Sequence, residues 1–360
     1  MPSSDRLGLN ELELSLAGRT EHYSDFGAAS NPKVGLRYVP FNGLTVRGTW
    51  GKSFKAPSFY ELYESTEIAV FPGAYFGLAA PAQVLLSDGG NANLKPETST
   101  SSTFGADYKP FKTADLTISL TRFTIAYKNR VVKPVPVYRT ALATTLYDGF
   151  ITRNPSAASQ GALIGAADVF EDFTGVYDPA NVIAVIHNEN TNATTQDVSG
   201  FDASIRQSVH LGHSTLSYFA TGTWTDLKQQ TIPTMADLKL SGTVFFVPKF
   251  KARGGFTWTT GGLSGSAIAN FVSDEKDTSV TPSRSVASWT TVDATLSYDF
   301  AQTNPALRNL KLSVAASNLF DKKPPRVAAP TTLGYPGIFY DSTNSSIVGR
   351  FVSVTLTKGW

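Results

Sequence analysis

Cysteine is absent from the 360 residues, which excludes disulfides, thiol catalysis and cysteine-bound zinc, and says little about compartment. No run of about 18 apolar residues occurs, so a transmembrane helix is excluded, whereas spanning strands need only alternate residues to be apolar. Charge is sparse: Asp, Glu, Lys and Arg make up 17 % of the chain, against roughly 25 % in ordinary soluble domains. The net charge of +2 comes from basic and acidic residues evenly mixed, which sets aside a nucleic-acid partner. The opening "MPSSDRLGLN" lacks a basic segment followed by an apolar one, so no secretory signal is read there. G-x-S-x-G, H-E-x-x-H and P-loop patterns are missing as well. No enzyme, catalytic residue, metal or cofactor is expected.

What the sequence does have is alternation. Aromatics reach 12 %, with 29 glycines and 20 prolines, and period-two patterning, the mark of β-strands, recurs from end to end. It predicts strands near residues 9–23, 32–40, 44–54, 97–109, 116–128, 195–209, 215–229, 250–259, 263–272, 288–300, 310–319 and 347–360. Connections alternate in order between short turns (40–43, 110–115, 210–214, 260–262, 301–309) and long loops (55–96, 132–180 or beyond, 230–248, 273–287, 320–346). A soluble sandwich has no reason to gather its long loops at one end. An antiparallel, up-and-down transmembrane barrel does, with tight periplasmic turns and long extracellular loops.

The faces agree with that reading. Leu44, Val46, Gly48 and Trp50 oppose Thr45, Arg47 and Thr49; Phe104, Ala106 and Tyr108 oppose Thr103, Gly105 and Asp107. Each apolar stripe is four or five alternate residues tall, close to the roughly 25 Å band of a membrane barrel. Trp50, Trp224 and Trp289 fall toward the long-loop ends, Trp258 and Trp360 toward the short-turn ends, as two interfacial aromatic girdles would.

Several segments resemble, in order, the barrel domain of TonB-dependent outer-membrane receptors. "NPKVGLRYVPFNGLTVRGTWGKSFKAPSFYELY" at 31–63 is similar to that family's strand, turn, strand and "F+APS" segment, through Phe54, Ala56, Pro57 and Ser58. "NLKPE" at 93–97, "SGFDAS" at 199–204, "ASNLFDKKPP" at 316–325 and the terminal "GRFVSVTLTKGW" follow. The resemblance implies an all-β fold, a barrel fragment of about twelve strands over residues 1–360 with no plug domain. It implies an outer-membrane location and uptake of a ferric siderophore or similar nutrient, energised through TonB. TonB and a plug would be partners of a full-length parent only. Outer-membrane lipid would surround the wall, and the barrel-assembly machinery would engage the last strand, ending at Trp360. The family usually places an apolar residue where Lys358 stands. The alternative is a passive pore or adhesin of about twelve strands.

By that resemblance, ligand-binding candidates lie on the long loops: Tyr335, Phe339 and Tyr340 in "TTLGYPGIFYD", and Tyr75 and Phe76 in "YFGLAA". Aromatics there suit binding, and equally the packing of one loop on another. Arg37, Arg47, Arg206, Lys251 and Arg253 fall on the lumen side, as a solvated wall, as attractors of anionic chelates or as salt-bridge partners of a plug. Glu97 reads first as a solvated strand entrance and second as a lumen or rim contact, Asn318 and Asp321 as turn formers, and "SDEKD" at 273–277 as a charged loop before a Ca²⁺ site.

Overall fold

The computed structural model describes residues 10–23, 27–110, 115–278, 280, 282–300, 309–328 and 339–359. Twelve strands form one antiparallel meander: β1 Glu11–Tyr23, β2 Gly27–Phe41, β3 Leu44–Lys55, β4 Glu97–Tyr108, β5 Thr117–Val132, β6 Thr191–Leu211, β7 Ser214–Gln230, β8 Phe250–Thr260, β9 Leu263–Val272, β10 Trp289–Asp299, β11 Leu310–Ser317 and β12 Phe351–Lys358. Each pairs with its sequence neighbours, and a short strand, Leu238–Lys239, is added beside the top of β7. All twelve correspond to strands expected from the sequence. Among the described residues no ladder joins β12 to β1, which stand at the two ends of the strand order.

Register carries the alternation across the sheet. Arg47, Gly105, Thr121, Asp202, Thr223 and Lys251 lie in one cross-strand row. The row one residue along, Gly48, Phe104, Arg122, Phe201, Trp224 and Phe250, belongs to the opposite face. The apolar face is bare: Leu14 is 61 % exposed, Phe104 64 % and Val354 68 %, with Leu36, Leu120, Phe256 and Leu296 alongside. Soluble monomers rarely expose apolar patches beyond a few hundred Å²; a lipid-facing wall must. The polar face is tied across strands by Thr49 to Thr103 at 2.7 Å, Ser208 to Ser217 at 2.8 Å and Asn270 to Asp293 at 2.9 Å.

Two sequence expectations shift. β2 begins at Gly27, so Pro32 is internal to it; pairing with β3 starts only at Lys33, and a missing N–H is tolerated where one side has no partner. Trp289 pairs with Val272 and therefore stands on the polar face, which removes it from the outer girdle; Trp50, Trp224 and Trp258 keep the apolar face, and Trp360 lies outside the described residues.

The buried core is in the loops, not the wall. Loops 56–96 and 133–190 fold together into a five-stranded mixed sheet, ordered Ile151–Arg153, Val182–His187, Gln83–Asp88, Glu67–Pro72 and Val169–Asp172. Val84, Leu86, Val135, Ala184, Ile186 and Ile232 pack on one side of it, and Ile68, Val70, Leu85, Val182 and Val185 on the other. Strands sandwiched on both faces read as continuous apolar runs, which is the character of "VLLS" and "VIAVI".

Candidate functional site

Long loops at one end of the wall supply the exposed surface, and two motifs hold the first of them in place. Ser58 caps helix α1, Phe59–Tyr63, in a reciprocal capping box: the Glu61 N–H donates to Ser58 Oγ at 3.2 Å and the Ser58 N–H to Glu61 Oε2 at 2.6 Å. This satisfies two amides that a helix start leaves without partners. Lys55 Nζ then lies 3.1 Å from Glu61 Oε1 and 3.2 Å from Glu97 Oε1. Glu97 also accepts from the Val131 N–H at 3.1 Å. The "APS" and "NLKPE" segments therefore meet at a rim contact, the second of the two readings of Glu97, in place of a solvated strand entrance.

Three alternate asparagines of "NENTN" clasp the loops to the wall. Asn188 Oδ1 accepts from the Val135 N–H at 2.9 Å, and Asn190 Nδ2 donates to the Glu61 carbonyl at 3.2 Å. Asn192 accepts from the Lys95 N–H at 2.7 Å and donates to the carbonyls of Lys95 and Asn129 at 2.8 and 2.7 Å. Sequence reasoning passed over them, although period-two asparagines at a strand entrance were the available signal.

Of the first aromatic pair, Phe76 is 8 % exposed and belongs to the folded core of the loops. Its burial there accounts for an aromatic at this position without a ligand. Tyr75 stacks on Phe71 and Tyr138 with centroids 5.0 and 6.1 Å away, and the Arg139 guanidinium lies 4.1 Å over its ring.

The second cluster joins loops 231–249, 273–288 and 318–350. Val244, Val286 and Val327 form its core, and Asp341 is its polar hub. Asp341 accepts from the N–H groups of Phe245 at 2.9 Å, Thr343 at 2.8 Å and Asn344 at 3.1 Å, and from Asn344 Nδ2 at 2.9 Å. Burial pushes its carboxyl up, but these donors outweigh it and hold the group below its ordinary value. Glu275, buried beside it, goes the other way: burial and then its hydrogen bond to Asp341 push it up to about 8. The pair shares one proton at neutral pH. Glu275 and Asp277 are both buried, in a short strand paired with Arg284–Val286, so "SDEKD" is not merely a charged loop.

Phe339, 49 % exposed, carries the Arg326 guanidinium 5.2 Å from its ring centre. Together with Asp277, Arg284 and Ala328 they line a cleft of about 630 Å³. Tyr340 follows in the chain, half-buried; Tyr335 lies outside the described residues. No described ring contact joins the Tyr75 pair to the Phe339 pair. At the exit of β11 the turn formers are as expected: Asn318 and Asp321 have φ of 48° and 52°, and Asn318 Oδ1 accepts from the Lys322 N–H at 2.8 Å.

A twelve-strand meander, apolar on one face and looped at one end, matches the sequence profile of the TonB dependent receptor-like β-barrel family over residues 3–319. The chain belongs to that family. Among solved structures it is similar to the ferric enterobactin receptor PfeA of Pseudomonas aeruginosa, with TM-score 0.64 and 18 % identity over 97 % of this chain and 43 % of that one. The siderophore receptor PirA of Acinetobacter baumannii gives TM-score 0.59 and 16 % identity over 96 % and 43 %. The outer-membrane transporter YddB of Escherichia coli gives TM-score 0.59 and 10 % identity over 96 % and 43 %. The chain thus spans less than half the length of these structures. No curated protein matches it.

In a receptor barrel the polar face of this wall is the lumen side. Arg37 pairs there with Glu11, and Arg47 with Asp107 at 3.0 Å. Arg47 reaches past β4 to donate to Thr121 Oγ1 at 2.9 Å; the intervening residue is Gly105, where a β-carbon would lie 2.6 Å from that oxygen. Register puts Arg206, Lys251 and Arg253 on the same face.

Proposed function

We propose that this chain is a wall of an outer-membrane receptor that takes up a ferric siderophore or a similar bulky nutrient, driven through TonB in a parent protein that also carries a plug. The observation that carries this reading is the gathering of every long, folded loop at one end of a sheet whose apolar face is bare. In this orientation the loops stand outside the cell, the polar face lines the lumen and lipid covers Leu14, Phe104 and Val354. The barrel-assembly machinery would engage the C-terminal strand β12, Phe351–Lys358.

The exposed ligand-facing candidates are Phe339 with Arg326 and Arg284; Tyr340 beside them and Tyr75 on the other loop cluster are half-buried, and Tyr335 is a candidate on the sequence alone. Two guanidinium groups beside an aromatic face suit an anionic, ring-bearing chelate. The test is uptake of radiolabelled ferric chelates by cells expressing a receptor that contains this chain. Replacing Tyr335 and Phe339 by Ala should reduce uptake at low ligand concentration; unchanged uptake removes that loop from the binding surface.

A further inference from the structure

Arg122 is a cation on the apolar face. It stands in the row with Phe104 and Phe201, and its guanidinium lies 5.5 Å from the Phe201 ring centre. The row continues to Trp224, stacked on Phe250 at 4.3 Å. Residues alternate faces along a strand, so two positions inward from Arg122, Phe201 and Trp224 the same face carries Leu120, Ala203 and Gly222, and two positions outward it carries Thr124, Ser199 and Asp226. The row is the border between the apolar band and the polar rim, on the long-loop side.

A cleft of about 340 Å³ opens at that border, lined by Arg122, Phe201, Trp224, Asp226, Ser241 and Lys249. Lys249 comes from the loop entering β8, its stem laid over Gly242. Just outward, Lys228 and Lys239 face each other across a strand pair, an arrangement that costs stability unless an anion lies near. None of Arg122, Lys228, Lys239 and Lys249 has an ion pair among the described residues. The acids on this face are Asp226, which accepts from Ser241 at 3.2 Å, and Asp197, opposite Lys228, so the cations outnumber them.

We propose that this cleft binds the phosphate-bearing headgroup of an anionic lipid, with Arg122 and Lys249 on the phosphate and the acyl chains lying against Leu120, Phe104 and Trp224. A cation at the edge of a hydrocarbon band gains from an anionic headgroup what it lacks from lipid tails, and aromatic rings prefer the same depth. A free anion would gain the charges but leave the aromatic wall of the cleft unused. The inference rests on the membrane orientation proposed above.

The test is tryptophan quenching of the full chain in neutral detergent, titrated with dibrominated phosphatidylglycerol or with dibrominated phosphatidylcholine. Quenching by phosphatidylglycerol is expected at roughly tenfold lower concentration, from the gain per cation near a headgroup. The Arg122→Gln, Lys249→Gln pair should abolish the difference, Arg122→Lys should keep it, and Trp224→Phe should remove the excess quenching. Equal midpoints in the unaltered chain, a difference that survives R122Q/K249Q, or displacement of phosphatidylglycerol by millimolar inorganic phosphate each overturn the lipid site. Absence of quenching by either lipid overturns the membrane orientation itself.

Discussion

Glu97 Oε1 lies 3.2 Å from Lys55 Nζ and, through the same oxygen, accepts from the Val131 N–H at 3.1 Å. One carboxylate thereby joins β3, β4 and β5 where the wall gives way to the loops. Lys55 is largely exposed, so the ion pair itself contributes little; the backbone amide matters more, because an N–H left without a partner costs about 1–3 kcal/mol. Glu97→Ala should speed hydrogen exchange at Val131 well beyond the effect of Lys55→Ala. Equal effects would show that the amide bond is not the stronger part.

Asn192→Ala removes one accepted and two donated hydrogen bonds that tie Lys95 and Asn129 to β6. A loss of about 1–3 kcal/mol of local stability is expected. Limited proteolysis at Lys128 and Arg130 reads it: cleavage should become faster there, while cleavage in the second loop cluster stays unchanged.

Gly105→Val places a branched side chain where a β-carbon alone would sit 2.6 Å from Thr121 Oγ1 and 2.9 Å from the Leu120 carbonyl oxygen. Arg47 must then leave Thr121. Urea unfolding in detergent should show a loss of about 1–3 kcal/mol, the range for overpacked sites, and Thr121→Val should cost less because it removes only the hydroxyl partner.

The Glu275–Asp341 pair makes the second loop cluster sensitive to pH. Glu275 has its folded value raised from 4.5 to about 8, so the folded state binds the extra proton and the stability it gives is complete below 4.5 and lost as pH rises through about 8. Asp341 is shifted down, and its contribution, present above its ordinary value of 3.8, is lost as pH falls through the lower one. Protease resistance of residues 240–248 should therefore decline between pH 5 and 9, and Glu275→Gln should flatten that decline. A profile unaffected by Glu275→Gln would assign the pH response to another group.

The wall was legible because each of its strands meets two solvents, and alternation such as Leu44, Val46 against Thr45, Arg47 records both. The loops were not, because their strands meet only protein: "VLLS" and "VIAVI" alternate nothing, and a short apolar run does not declare its partners. Phe76 illustrates the result for the site. Beside Tyr75 it reads as a binding aromatic, yet its ring belongs to the core of the folded loops, which exists only through pairings about a hundred residues apart in sequence, such as Val84 with Ala184. Phe339 was legible as an exposed aromatic, whereas Arg326 and Arg284, which give its cleft a charge, carried no local pattern.

The outer edges of β1 and β12 have a further consequence. Each offers a row of backbone donors and acceptors with no ladder partner among the described residues, at the depth where the apolar face excludes water. Every such group left unpaired in hydrocarbon costs several kcal/mol, more in sum than the whole stability of an ordinary domain. The sheet therefore reaches lipid only with both seams closed: insertion and closure become a single event, and any species that displays this wall unclosed is confined to water, detergent or a chaperone.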